Sequence, residues 1–439
     1  MNSPSGDPGL PDHKVTALSY LSRPLLAVLF LGFSSGLPLA LTATTLGYWL
    51  ADAHIDKTRI GLFGAAATPY ALKFLWAPVM DGLRVPLLSK LLGRRRGWIL
   101  LTQAGLLLAL MLLAATQPEI NPWMTALVAL LVAFLSASQD IVIDAYRVER
   151  LTPQTQGQGA AMAQLGYQLG MIAAGFGALH LAARYGWQAA YFGMAGFMGI
   201  GIVTTLLARE PEVSAAEKPA RDYMQWLRES VIAPFTDFMR HPDWLLILLF
   251  VVVYKLADAF LGRMTSPFFH DMHFAKDDIA NIVKFYGTIA TLAGIFAGGT
   301  LTGKFGALRV MLLAGLLHGV TNLLYVRQAQ LGPDTDFLAM SIAVENFTGG
   351  VSSAAFVAYL SNLTTVHYTA TQYALLSSLA AFGRTWLATP AGWVAEKVGW
   401  EWFFGLSAAL ALPGLVLLLL LHKRLTLKAT SLPAAGTSG

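Results

Sequence analysis

The chain has 439 residues, of which 55% are hydrophobic and only 13% charged, with a mean hydropathy of +0.56. A soluble globular chain carries about 25% charged residues, so this composition excludes one and points to apolar residues that face lipid. The formal charge of +5 reads as basic loops that set membrane topology rather than a nucleic-acid surface, and the lack of cysteine excludes disulfides, thiolate nucleophiles and thiolate metal sites.

Residues 1–23 read as a tail, rich in Pro, Gly and Asp up to about Lys14. Arg23 then precedes an apolar segment too long for a signal peptide and without a cleavage site, so an uncleaved first span is expected. A span needs about 20 apolar residues. Twelve are predicted, at about 24–50, 58–80, 97–116, 122–146, 155–182, 187–208, 242–268, 278–303, 308–327, 335–363, 368–396 and 400–422. They form one six-helix bundle over 24–208 and a second over 242–424. Residues 209–241 form a polar linker that ends in an amphipathic piece from Tyr223 to Met239, and 425–439 form a loose tail. The fold class is therefore all-α, a membrane protein of 6+6 helices. With the N-terminus inside, about 19 Lys and Arg fall on the inner side and about 7 on the outer. Both termini are thus expected in the cytoplasm.

A charge at membrane depth costs roughly 2.5–3.5 kcal/mol on insertion scales and usually faces a cavity or a partner. Span four carries Gln139, Asp140 and Asp144; span seven carries Lys255 and Asp258; span ten carries Glu345 and Asn346. Span one is uncharged but holds Ser34-Ser35-Gly36-Leu37-Pro38, so Gly36 and Pro38 are expected helix soft points, as are Gly349 and Gly350 after Asn346. Spans one, four, seven and ten open four successive three-helix units. That period resembles the major facilitator fold, whose halves are inverted three-helix repeats around a central cavity. Gly32 and Gly36, Gly166 and Gly170, and Gly294 and Gly298 are spaced for close helix packing.

The first basic hairpin runs from Ala77-Pro78-Val79-Met80-Asp81-Gly82 to Gly93-Arg94-Arg95-Arg96-Gly97. Asp81 with Arg94, Arg95 and Arg96 reads as a gating latch, or else as a topology signal made of arginines. Asp140 and Asp144 lie four apart on one helix face, and paired carboxylates in a low-dielectric site suit proton exchange; Asp144 also reads as an ion-pair partner of Arg147 or Arg150. Lys255 and Asp258 are three apart. They read as a self-neutralising pair, or as a substrate-binding cation beside a proton carrier. Proton-coupling candidates are therefore Asp140, Asp144, Asp258 and Glu345. Substrate-binding candidates are Gln139, Tyr167, Gln168, Tyr254, Lys255, Asn346, Arg384 and Trp386, with a carboxylate clamp at Arg384 unless it pairs with Glu345. Lys73 and Lys284 are weaker candidates, with a reach toward the membrane interface as the other reading. The sequence has no Walker loop and no metal-spaced histidine cluster. No metal or cofactor is expected, and the energy must come from a gradient.

Several stretches closely resemble the AmpG muropeptide permease family: Gly32 to Leu41, Lys73 to Pro78, Gly93 to Trp98, Ser136 to Ile141, Leu165 to Met171, Tyr254 to Phe260, Glu345-Asn346 and Ala370 to Ser377. The likeness runs from about residue 20 to about 425. It implies a bacterial inner-membrane symporter that imports N-acetylglucosaminyl-1,6-anhydro-N-acetylmuramyl peptides with protons, for wall recycling and beta-lactamase induction. Its expected partners are that substrate, protons and the bilayer, with no nucleic acid, and the expected state is a monomer. Acetyl-coenzyme A is the alternative cargo, from carriers of the same branch. A membrane-embedded enzyme on wall glycans and a non-transporting sensor are the alternatives of other classes.

Overall fold

The computed structural model describes residues 17–55, 63, 68–212, 228–275 and 278–431. Most of the first tail (1–16) and the end of the second (432–439), the middle of the linker with the start of its amphipathic piece, and most of the outer end of span two lie outside the described residues, as does the side chain of Lys284. Among the described residues all regular structure is helical. We group it into passes α1 to α12: 23–52, 68–82, Arg94–Ala114, Pro122–Arg150, 156–185, 187–207, 244–271, 279–305, Ala307–Leu331, Thr335–Asn362, 369–398 and 400–431. Among the described residues eight helical runs are long and apolar enough to cross a membrane. Two of them, Pro153–Leu207 and Ala391–Arg424, hold a reversal and so contribute to two passes each.

Glycine makes these reversals. Gly186 (φ 84°) turns α5 into α6 and Gly399 (φ 77°) turns α11 into α12; Gly93 (φ 95°) and Gly306 (φ 83°) open α3 and α9. A side chain is strained at such angles, and glycine is not. The offset from Gly93 to Gly306 equals that from Gly186 to Gly399, so the second half repeats the first in register.

Small residues set the helix spacing. A Cβ on Gly36 would collide with the backbone oxygen of Tyr167, and one on Gly166 with that of Leu29, so α1 and α5 meet backbone to backbone. Gly294 meets Phe347 and Gly350 meets Thr291 in the same way between α8 and α10. This corrects the expectation for Gly349 and Gly350. The helix runs unbroken from Thr335 to Asn362, and both glycines are points of close approach, Gly349 beneath the ring of His318. The helix also continues through Gly36 and Pro38; the irregular turn comes just after, at Leu41–Thr45. Pro38 has no N–H to give Ser34, four residues back. The side chain of Gln139 fills that need, donating Nε2 to Ser34 O at 2.9 Å.

Candidate transport site

Two polar clusters occupy the middle of the bundle, one in each half. In the first, Ser35 Oγ on α1 donates to Asp140 Oδ1 at 2.5 Å. Lys73, on a short 3₁₀ turn where α2 is irregular, is buried and lies within electrostatic reach of Asp140. Of the two readings of Lys73 this sets aside the interface one: a buried ammonium needs an opposite charge, and Asp140 supplies it. Tyr167 of α5 lies within electrostatic reach of the same carboxylate and of Arg384 from the other half.

The second cluster surrounds a break in α7. Helix stops at Val253 and resumes at Leu256. Lys255 sits in the gap, its Nζ 2.8 Å from Asp258 Oδ2 and 3.1 and 3.2 Å from the hydroxyls of Ser352 and Ser353. Asp258 Oδ1 lies 2.8 Å from His318 Nε2 of α9, whose Nδ1 is 3.1 Å from Thr348 Oγ1. On the next turn of α10, Glu345 accepts from Tyr325 Oη at 2.7 Å. Asn346 Oδ1 accepts from Thr291 Oγ1 at 2.9 Å. A cavity of about 180 Å³ joins these groups to the first half: Asp258, His318, Glu345 and Asn346 line one side, Gln164 and Gln168 of α5 the other.

The other predicted residues divide. Gln139 is fully buried on its Ser34 contact. Tyr254 is buried between Phe250 and Phe356, with its hydroxyl bonded to Met311 O. Neither side chain faces the cavity, which corrects their reading as substrate contacts. Arg384 is exposed in an irregular turn, Gly383–Leu387, and Glu345 takes Tyr325 rather than Arg384 as its partner. Trp386 is 63% exposed and stacks on Phe382. Asp144 pairs with Arg147 at 3.4 Å, and Arg147 reaches Ser361 and the ring of Tyr373 in the second half.

The basic hairpins mark one end of the bundle, and there the halves are tied. Arg95 lies buried between Asp81 (2.7 Å) and Glu149 (2.5 Å). Asp81 Oδ2 also accepts from the backbone N and hydroxyl of Thr371, each at 2.7 Å, at the start of α11. A carboxylate is favoured at a helix N-terminus. Arg94 donates to Asp81 O at 2.9 Å, but Arg96 turns away to Thr205 O and Leu206 O at the end of α6. Tyr20 adds a bond to Thr300 and an edge contact with Phe296 across the halves. Within the linker, helix Ala233–Met239 docks beside this seam through Gln372 to Pro234 O and Asp237.

Reading the sequence did not find His318, Gln164, Glu149 or Thr371. His318 stands in an apolar run of α9, and a polar group at that depth was a usable signal. It lies on α9, outside the first helices of the three-helix units, where Asp140, Asp144, Lys255, Asp258 and Glu345 fall.

A two-half helical bundle with a polar cavity on its seam defines a membrane transporter of alternating-access type. The family model described as Major Facilitator Superfamily matches residues 28–274 and 256–437. The anhydromuropeptide permease of Escherichia coli K12 is 40% identical over 401 residues, 91% of this chain and 79% of that one. A putative transporter, AmpG 4 of Rickettsia felis, is 34% identical over 91% of this chain and 97% of its own. Among solved structures, the human organic anion transporter MFSD10 superposes with a TM-score of 0.67 at 18% identity, over 90% of this chain and 99% of that one. The Escherichia coli fucose:proton symporter FucP does so with 0.65 at 13%, over 92% and 98%. The chain therefore belongs to the major facilitator superfamily and, within it, to the anhydromuropeptide permease family. It is a multi-pass membrane transporter and not an enzyme.

Proposed function

We propose that the protein imports anhydromuropeptides from periplasm to cytoplasm across a bacterial inner membrane, with protons as the coupled ion and both termini cytoplasmic. The observation that carries this reading is the cavity on the seam between the halves, in a chain 40% identical to an anhydromuropeptide permease. The ties between halves gather at the basic end, from Asp81–Thr371 to Arg147–Ser361. With that end inside the cell, these ties close the bundle toward the cytoplasm.

Muropeptide chemistry suits the groups present. Its carboxylates match Lys255 and Arg384, and its hydroxyls and amides match Gln164, Gln168 and Asn346. The proton moves within Asp258, His318 and Glu345, or on Asp140 beside Lys73. Neutralising a carboxylate there weakens its hold on the neighbouring cation and frees that cation for the substrate. Release of Asp81 from the start of α11 then opens the basic end.

The test is uptake of labelled disaccharide anhydro-muropeptide into proteoliposomes, with and without an inward proton gradient, beside acetyl-coenzyme A. Gradient-driven accumulation of intact muropeptide supports the reading. Accumulation of acetyl-coenzyme A alone, or of neither by folded protein, overturns it.

A further inference from the structure

A second cavity, of about 510 Å³, lies at the basic end of the second half, where the linker enters it. It opens between the start of α7, the α8–α9 hairpin and the ends of α10 and α12, and shares no lining residue with the central site. Ile247, Phe305, Leu308 and Leu363 give it apolar walls, and Arg309 and His422 stand among its polar groups. The one acid among its described lining residues, Asp243, is held by Arg424 at 2.6 Å. Arg309 is exposed and makes no ion pair among the described residues, and Lys304 and Lys423 are exposed nearby in sequence. A volume of this size is that of a small-molecule site, far more than an inorganic anion fills.

The corresponding place in the first half is filled from within. Glu210, past the end of α6, accepts from the backbone N–H groups of Arg95 and Arg96 at 2.8 and 3.0 Å. The offset that carries Gly93 to Gly306 carries Arg95 and Arg96 to Leu308 and Arg309, and it carries Glu210 to Lys423. The second half thus has a base where the first has the acid. Cationic pockets between helices at the membrane edge attract anionic headgroups, and the apolar walls here suit an acyl chain.

We propose that this cavity binds one anionic glycerophospholipid, its phosphate at Arg309 and the start of α9 and an acyl chain between Ile247, Phe305, Leu308 and Leu363. The lipid braces the α8–α9 hairpin against α7 and α12, as Glu210 braces α3 against α6. The proposal rests on the family and not on the identity of the cargo.

The test uses the full chain, delipidated in detergent, with native mass spectrometry and thermal unfolding. Phosphatidylglycerol, phosphatidylcholine of the same chains and inorganic phosphate are titrated separately. Phosphatidylglycerol is expected to bind and raise the unfolding temperature, and the other two are not. Arg309→Gln should weaken phosphatidylglycerol about fivefold, the equivalent of about 1 kcal/mol for one cation at a lipid surface. Lys423→Glu, which installs the first half's acid, should weaken it further, and Leu363→Trp should block the chain. Arg309 is exposed, so its variant keeps the test decisive if Leu363→Trp does not fold. Equal binding of both lipids, indifference to Arg309→Gln, or stabilisation by phosphate alone to the same degree would overturn the proposal.

Discussion

The two halves share a frame and divide the chemistry. Their hairpin glycines repeat in register, yet their polar cores are built differently. In the first half, Asp140 stands on an unbroken α4 and takes its partners from other helices, Ser35 of α1 and Lys73 of α2. In the second half, Lys255 and Asp258 share one helix at a break, and α9 and α10 bring His318 and Glu345 to them. The basic end shows the same division. The first half supplies the acids Asp81, Glu149 and Glu210, and to Asp81 the second answers with backbone N–H groups at the start of α11. A repeated backbone therefore does not dictate repeated charges: the first half holds the lock, and the second holds the larger polar network.

The largest expected effect comes from breaking the lock. Asp81→Ala leaves Arg95 with Glu149 alone and removes the acceptor of Thr371. The two bonds from Thr371 are the ones that cross the halves, and a hydrogen bond to a charged group is worth about 1.5–3 kcal/mol, so the latched state should lose about a hundredfold or more in population. The chain has no cysteine, and Ala374→Cys places a single thiol in the buried seam at that end. Its labelling by a maleimide should rise steeply in the Asp81→Ala background. Unchanged labelling would mean that the seam does not depend on Asp81.

The next prediction sharpens the contrast between the cores. A hydrogen bond to a charged group is worth about 1.5–3 kcal/mol, so His318→Ala should cut gradient-driven accumulation by about tenfold or more. Exchange of substrate without a gradient should persist. Lys73→Met should instead weaken both, because it leaves Asp140 buried without its cation. If the two variants lose the same activities, the halves do not divide coupling from binding in this way.

The frame was legible in the sequence because membrane depth is unforgiving. Apolar runs had to be helices, and charges inside them had to be partnered, which brought Asp140, Lys255, Asp258, Glu345 and the Asp81–arginine hairpin to notice. What was not legible depends on direction. Gln139 and Tyr254 lie beside the charged residues in sequence, but helix rotation turns them into packing contacts. Glycine pairs could be read as spacing; that Gly350 meets Thr291 across α8 and α10 needed the register of two helices. The partner of Asp81 lies at Thr371, in the other half, and no local pattern announces it.

Helix spacing gives a smaller effect. Gly36→Ala and Gly294→Ala force a methyl onto a neighbouring backbone oxygen, and overpacking costs about 1–3 kcal/mol. Gly196→Ala on α6 meets nothing within 4 Å and should be neutral or stabilising, since alanine suits a helix better than glycine by about 1 kcal/mol. Thermal unfolding of the three variants checks the order.

The smallest expected effect concerns Glu210. Its carboxylate caps α3, and Glu210→Ala should cost about 1 kcal/mol, as loss of a cap does. Burial pushes the Glu210 carboxyl above the ordinary range, against the pull of the N–H groups of Arg95 and Arg96. A raised folded-state pKa means that the folded protein binds this proton more tightly than the unfolded chain. Through this group, stability is gained as the pH falls from the raised folded-state value to the ordinary glutamate value, levels off below it, and is lost again as the pH rises. Glu210→Gln keeps an acceptor and removes the titration. It should unfold within about 0.5 kcal/mol of the parent at neutral pH and lose part of the parent's gain on acidification. A Gln variant as damaged as the Ala variant would show that the negative charge itself, rather than a hydrogen-bond acceptor, holds α3 to α6, and the parallel drawn with the base at Lys423 would then rest on charge alone.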